Sequence, residues 1–192
     1  MSSEGALILV VGPSGAGKDS ILREARRAFE SDHRIRFARR YITRSPDGNE
    51  HNYALTEPQF AAARRLGGFL LAWDAHGLNY GIPASVAIDL ARGVSVIANA
   101  SRSVTEVARA MWARTIIVQV SASPATLLER LKLRGREDDM AQRVERASGV
   151  PVDADVTISN DGDLAQAVDS IVALLRTTLD GAPVEVGCEP VK

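Results

Sequence analysis

Residues 6–20 constrain the fold more than any other stretch of the chain. An apolar run from Ala6 to Val11 breaks into Gly12-Pro13-Ser14-Gly15-Ala16-Gly17-Lys18-Asp19-Ser20, and a helical pattern follows (Ile21, Leu22, Ala25, Ala28, Phe29). Strand, glycine-rich loop and helix in that order make a turn whose backbone N–H groups wrap phosphate oxygens. Gly12, Gly15 and Gly17 permit the tight loop, and Pro13, Ser14 and Ala16 complete the cradle. Lys18 is expected to bridge the outer two phosphates of a nucleoside triphosphate such as ATP. The residue after the lysine is normally a hydroxyl that ligates magnesium; here it is Asp19, with Ser20 one step later. Asp also suits the first turn of a helix, where it meets the positive end of the dipole. Near a triphosphate, however, a carboxylate is repelled unless a cation lies between, so a magnesium role for Asp19 is favoured.

The rest of the composition narrows the class. At 192 residues, with 45% hydrophobic and 24% charged side chains, the chain is expected to form one soluble domain with a full core. Its single cysteine, Cys188, can build neither a disulfide nor a cysteine metal site. No apolar stretch approaches the ~20 residues needed to span a bilayer, and the N-terminus lacks the basic region of a signal peptide. These features predict a cytoplasmic protein with no membrane partner. A net charge of −1 argues against a dedicated nucleic-acid binder and leaves small molecules as the expected partners. The charge is unevenly placed. Arg34, Arg36, Arg39, Arg40 and Arg44 fall in one acid-free stretch, and Arg130, Arg134, Arg136, Arg143 and Arg146 fall in a second that is mixed with acids. Such runs are ordinarily solvated faces. In a chain with a phosphate loop they also suit two clamps on anionic ligands, because guanidinium grips phosphate as a bidentate fork.

Periodicity alternates strand and helix. Strands are predicted at Ala6–Val11, Phe69–Trp73, Val94–Ala98, Thr115–Val120 and Val156–Ile158. Helices are predicted over 18–30, 57–66, 84–92, 103–112, 124–134, 139–148 and 162–179. Thr56 with Pro58 and Ser123 with Pro124 read as helix starts, and Gly67 and Gly93 as stops. The last helix sets Leu164, Val168, Ile171, Val172, Leu175 and Leu179 on one face. Alternation of this kind predicts an α/β fold: a mostly parallel sheet covered by helices on both faces, binding ligands at the carboxyl ends of its strands. Residues 40–82, rich in Tyr, Asn, His and Gly, interrupt the rhythm as a small inserted lobe. After Asp180 periodicity stops, so the domain is expected over 1–180 with a loose tail over 181–192.

In order along the chain, the phosphate loop, Thr43-Arg44 with Glu50, Trp73 with Tyr80-Gly81, Arg134-Gly135-Arg136-Glu137 and Asn160-Asp161 resemble the guanylate kinase family. The resemblance runs from residue 7 to about 179. It implies a P-loop kinase core that binds ATP, an acceptor-binding lobe over about 36–83 and a helical lid over about 132–150. Several departures remove the groups that would read guanine. Ala72 stands for a glutamate, Ile82 and Arg40 for serines, and Asp47 for a second arginine. A site stripped of such contacts should use GMP poorly.

The pattern is closer to the ribose 1,5-bisphosphate phosphokinases of the phosphonate-degradation pathway (PhnN-type). They share Gly17-Lys18-Asp19-Ser20, Arg40-Tyr41-Ile42-Thr43-Arg44, Trp73-x-Ala75-x-Gly77-Leu78-x-Tyr80-Gly81, Asn99-x-Ser101-Arg102 and Asn160-Asp161-Gly162. This resemblance implies ATP-dependent conversion of ribose 1,5-bisphosphate to 5-phosphoribosyl 1-diphosphate with magnesium. The residues alone stop earlier, at a kinase for a small phosphorylated acceptor that is not a guanine nucleotide. Expected roles follow. Arg40 and Arg44 hold acceptor phosphates, while Glu50, Tyr80, His51 and His76 are placed to meet ribose hydroxyls or a phosphate. Arg102 contacts a substrate, and the lid residues Arg134, Arg136 and Arg143 join Lys18 in neutralising the transferring group. Arg130, four residues before Arg134, can instead pair with Glu129 or Glu137. Asn160 lies beside adenine or, alternatively, caps the last helix with Asp161. Asn99 and Ser101 replace acids found in the guanylate kinase branch, so the magnesium-organising charge is expected to have moved to Asp19. The competing readings are a nucleoside monophosphate kinase of guanylate type and a catalytically inactive kinase-like interaction module.

Overall fold

The computed structural model describes residues 4–44, 52–133 and 152–182. One five-stranded sheet is built from β1 (Leu7–Val11), β2 (Ile35–Phe37), β7 (Ser95–Asn99), β8 (Thr115–Ser121) and β9 (Val156–Ser159), in the order β2-β7-β1-β8-β9. β2 runs parallel to β7 and β8 parallel to β9. This is the parallel α/β sheet expected from the alternation, with helices on both faces. Every residue of β1 and β7 is buried, which is why both read as unbroken apolar runs rather than as alternating ones.

The chain divides into two compact units, Met1–Leu9 with Ser31–Ile116 and Val10–Glu30 with Ile117–Lys192. The first unit carries a second sheet, β4-β3-β6-β5, from β3 (Tyr41–Ile42), β4 (Tyr53–Ala54), β5 (Phe69–Ala75) and β6 (Leu78–Pro83). Phe69–Trp73, read from its apolarity as one of the alternating strands, therefore belongs to this smaller mixed sheet, in which β5–β6 and β3–β6 pair antiparallel and β3–β4 parallel. The reason is the two-residue turn at His76-Gly77, with φ of 54° and 71°, which folds β6 directly back along β5. Helices α2 (Glu57–Arg65), α3 (Val86–Ala91) and α4 (Thr105–Met111) complete this unit. α2 starts as expected: the Thr56 hydroxyl accepts from the Gln59 N–H, and the Gln59 side chain accepts from the Thr56 N–H. The helix expected over 103–112 is broken, with a 3-10 turn at Arg102–Val104 ahead of α4, because the Ser101 hydroxyl holds the Ser103 N–H.

The second unit contains α1 (Lys18–Ala28), α5 (Pro124–Leu133) and α6 (Leu164–Leu179), with α6 packed on α1. The buried face of α6 is Ala167, Ile171, Leu174, Leu175 and Thr178, rotated from the expected stripe so that Leu164, Val168, Val172 and Leu179 are only half-buried. Its cap is Asp163, which accepts from the Ala165 N–H, and not Asn160 with Asp161. The helix expected over 139–148 lies outside the described residues. Among the described residues no helix is long and apolar enough to cross a membrane.

Candidate functional site

The phosphate loop of the second unit is fixed from three directions. At Gly12 the φ is 143°, and a Cβ there would fall 2.1 Å from the Val120 carbonyl oxygen, so only glycine lets the loop leave β1 so close to β8. Gly17, with φ of 90°, is the N-cap of α1 and carries no side-chain cap, which leaves the first N–H groups of the helix for a ligand. Lys18 Nζ donates to the carbonyls of Gly12 and Pro13, both at 2.8 Å, so the ammonium lies across the loop. Ser14 is exposed at the loop's tip, while Gly15 and Ala16 are buried. Asp19 and Ser20 sit half-buried in the first turn of α1.

Asn160 directly follows β9 and is 2% exposed. Its Nδ2 donates to the Ala16 carbonyl at 2.7 Å, pinning the loop from behind. This placement explains why it does not cap α6. Asp161 beside it is also engaged: its carboxylate accepts from the Ser123 N–H and from the Ser159 hydroxyl at 3.1 Å. These bonds, the Ser123 N–H first, hold the Asp161 carboxyl down at about 2. Among the described residues, neither the buried Asn160 Oδ1 nor the buried Arg130 Nη1 finds a hydrogen-bond partner. Arg130 Nη1 lies 3.8 Å from where a Gly17 side chain would begin. An orphaned acceptor and an orphaned donor beside a phosphate loop fit a polar ligand. Arg130 was legible only as a helix-surface cation, because nothing in its spacing tells which way an arginine on α5 points.

In the first unit three of the predicted acceptor residues, Arg40, Arg44 and Tyr80, lie on or beside the small sheet. Tyr80 pairs with Trp73 across β6 and β5, and their rings stack 5.5 Å apart at 4°. The Arg40 guanidinium lies 5.5 Å from the Tyr80 ring centre, and Arg40 Nε donates to Asn52 Oδ1 at 3.3 Å. Asn52 is buried and carries no motif; only the parallel register of β3 with β4 brings it opposite Arg40. Arg44 follows β3, half-buried, next to Thr43, whose N–H donates to the Asn79 carbonyl. Ile82, in place of the expected serine, is wholly buried, and Ala72 pairs with Gly81. Arg102 occupies the 3-10 turn after β7, half-buried, and burial lowers its pKa. His76 forms the tip of the β5–β6 turn and is exposed. Glu50, His51, Arg134, Arg136 and Arg143 lie outside the described residues.

A phosphate loop at the exit of β1 in a parallel sheet of this topology, with a small sheet inserted after β2, defines a P-loop phosphotransferase of the guanylate-kinase-like class. The crystal structure of guanylate kinase from Anaplasma phagocytophilum has the same fold, with a TM-score of 0.65 and 19% identity over 91% of this chain and 86% of that one. No family model matches the chain. Curated relatives are more specific. Ribose 1,5-bisphosphate phosphokinase PhnN of Methylobacterium radiotolerans is 44% identical over 174 residues, covering 90% of this chain and 98% of that protein. The protein of the same name from Pseudofrankia inefficax is 42% identical over 188 residues, covering 95% of this chain and 96% of that protein. The chain belongs to the ribose 1,5-bisphosphate phosphokinase PhnN family.

Proposed function

We propose that the protein transfers the γ-phosphoryl group of ATP to the 1-phosphate of ribose 1,5-bisphosphate, giving 5-phosphoribosyl 1-diphosphate and ADP in the cytoplasm. Beyond family membership, one observation carries this reading: the acceptor sheet presents a braced arginine, Arg40, while Ile82 is wholly buried and Ala72 has no polar group. That chemistry suits a phosphate and not a purine edge. Loop N–H groups and Lys18 would hold the donor phosphates, and Asn160 Oδ1 with Arg130 would meet the rest of the nucleotide. An acceptor phosphate is largely ionised at neutral pH, its second pKa being about 6, so no general base is required. Catalysis then rests on positioning and charge neutralisation. Arg40 and Arg44 would hold the acceptor's phosphates, with Tyr80, Glu50 and Arg102 around the sugar. Arg134, Arg136 and Arg143 would neutralise the transferring group.

The donor set also fits magnesium. Asp19 and Ser20 offer hard oxygens, and among the described residues no cluster of three His, Cys, Asp or Glu forms a protein cage. Magnesium ordinarily takes one or two carboxylates plus substrate phosphates, which is what this loop supplies. When bound, the ion would offset charge on the donor phosphates.

The test is a phosphorus NMR assay with ATP and magnesium, offering ribose 1,5-bisphosphate and GMP in separate reactions. Phosphoribosyl diphosphate from the first and a far slower reaction with GMP are expected. GDP as the faster product would put a nucleotide kinase in its place, and ADP from neither acceptor would leave an inactive binding module.

A further inference from the structure

Asn160 and Asp161 are neighbours in the chain and fasten different things. Asn160 Nδ2 holds the Ala16 carbonyl of the phosphate loop, whereas the Asp161 carboxylate accepts from the N–H of Ser123, the residue before α5. The carboxylate is itself held in place. The Ser159 hydroxyl donates to it, and the Asn160 N–H carries the β8–β9 pairing one step further, to the Ser121 carbonyl. All of these residues belong to one compact unit. A single turn after β9 therefore ties down the loop with one residue and the start of α5 with the next.

Ser123 moves as part of the helix, because its hydroxyl accepts from the Thr126 N–H and its carbonyl from the Leu127 N–H. α5 is otherwise anchored in the core through Leu127, which alone among its described side chains is buried. Ser123, Leu127 and Arg130 stand at i, i+4 and i+7, on one face. At the helical rise the tethered residue lies about 6 Å to one side of Leu127 and Arg130 about 4.5 Å to the other. A shift of the tethered end then carries Arg130 the opposite way by a comparable distance. The arginine stands where such a shift matters. Its buried Nη1 finds no partner among the described residues and lies 3.8 Å from where a Gly17 Cβ would begin. Misplacing a ligand-binding group by about an ångström is enough to spoil its contact.

We propose that Asp161 is the positioning residue for Arg130: by tethering α5 at Ser123 to the turn that also holds the loop, it sets where the guanidinium stands against bound ATP. The assignment rests on the reading of the loop and Arg130 as the ATP site. Charge alone predicts the opposite behaviour. A carboxylate near a polyanion repels it, so removing an Asp161 that acted through its charge would tighten ATP binding. Removing a tether weakens it.

Calorimetric titration with ATP and magnesium, without any acceptor, reads the difference. Asp161→Ala should raise the dissociation constant roughly three- to tenfold. Asp161→Asn keeps an oxygen for the Ser123 N–H and should change it by less than about twofold. In an Arg130→Gln background Asp161→Ala should add less than about twofold, because the group it positions is gone. A merely structural role would lower the melting temperature without this dependence on Arg130. Should Asp161→Ala fail to fold, Asp161→Glu serves in its place. It keeps the charge and an acceptor but displaces Ser123 by a methylene, and should weaken ATP severalfold only while Arg130 is present. Tighter or unchanged binding in Asp161→Ala, or an equal loss with and without Arg130, overturns the assignment. Failure of the underlying reading is distinguishable, because Arg130→Gln alone would then leave the ATP affinity unaltered.

Discussion

At Gly17 a missing side chain and a neighbouring amide define each other. A Cβ on Gly17 would lie 2.3 Å from Asn160 Nδ2, and Asn160 cannot swing aside, being buried and bonded to the Ala16 carbonyl. Gly17→Ala therefore suffers twice, from the clash and from a φ of 90° that an alanine resists. A cost of about 2–3 kcal/mol is expected for it, and about 1–2 kcal/mol for Asn160→Ala, which strips the Ala16 carbonyl of its donor. The double variant relieves the clash, so its loss should fall short of the sum by more than about 0.5 kcal/mol in denaturant titrations. Strict additivity would mean that the two residues do not meet as described. Asp19 makes a different claim. If it organises magnesium, Asp19→Ser should lower the affinity for magnesium in calorimetric titrations with ATP present, and slow turnover, each by about 1–3 kcal/mol, the scale of one charged contact. Unchanged magnesium affinity in a fully active Asp19→Ser protein would return Asp19 to a helix-dipole role.

Among the elements, the small sheet stands on a contact between an absent side chain and a ring. A Cβ on Gly81 would come within 2.5–2.8 Å of the Phe69 ring, which stacks on Phe60 of α2 at 4.5 Å. Phe60 is 2% exposed, so the pair of rings is backed by the core and cannot simply retreat. Gly81→Ala should then lower stability by about 1–3 kcal/mol as an overpacking change, and Phe69→Leu in the same chain should recover part of it. A neutral Gly81→Ala would show that the ring has room. This sheet was also the least legible part of the sequence. β3 and β4 are two residues long, too short for any alternation to register, and β2 hides within an arginine run because Arg34 and Arg36 lie exposed around buried Ile35. The buried strands β1, β7 and β8 were readable because burial on both faces leaves continuous apolar runs. The loop was readable because its chemistry is local. Asn52 and Arg130 were not, since their roles come from register and helix rotation, neither of which a spacing rule encodes.

At the scale of the whole molecule, two carboxylates among the described residues, one in each compact unit, are held below the usual carboxylate range and link stability to acid. In the first, Asp32 accepts from the Arg34 side chain and backbone, and these bonds lower its pKa from 3.8 to about 2. In the second, Asp161 is lowered to about 2 by the Ser123 N–H and neighbouring hydroxyls. Each folded value lies below the unfolded one, so the unfolded chain takes up protons first as the medium is acidified. The stabilisation is therefore fully present above about pH 4 and is lost as pH falls from there through about 2. Asp161 is exposed and Asp32 lies at the surface half-buried, so screening by solvent reduces their worth to below about 1 kcal/mol each. In a protein of this length that corresponds to a Tm change of at most about 2–4 °C per group. Thermal melts of the unsubstituted protein from pH 5 to pH 2.5 should thus fall more steeply than those of an Asp32→Asn, Asp161→Asn double variant. The two curves should draw together toward the acid end, where the unfolded chain's carboxylates are protonated and the folded ones begin to take up protons. Parallel curves over that range would place the acid sensitivity in other groups.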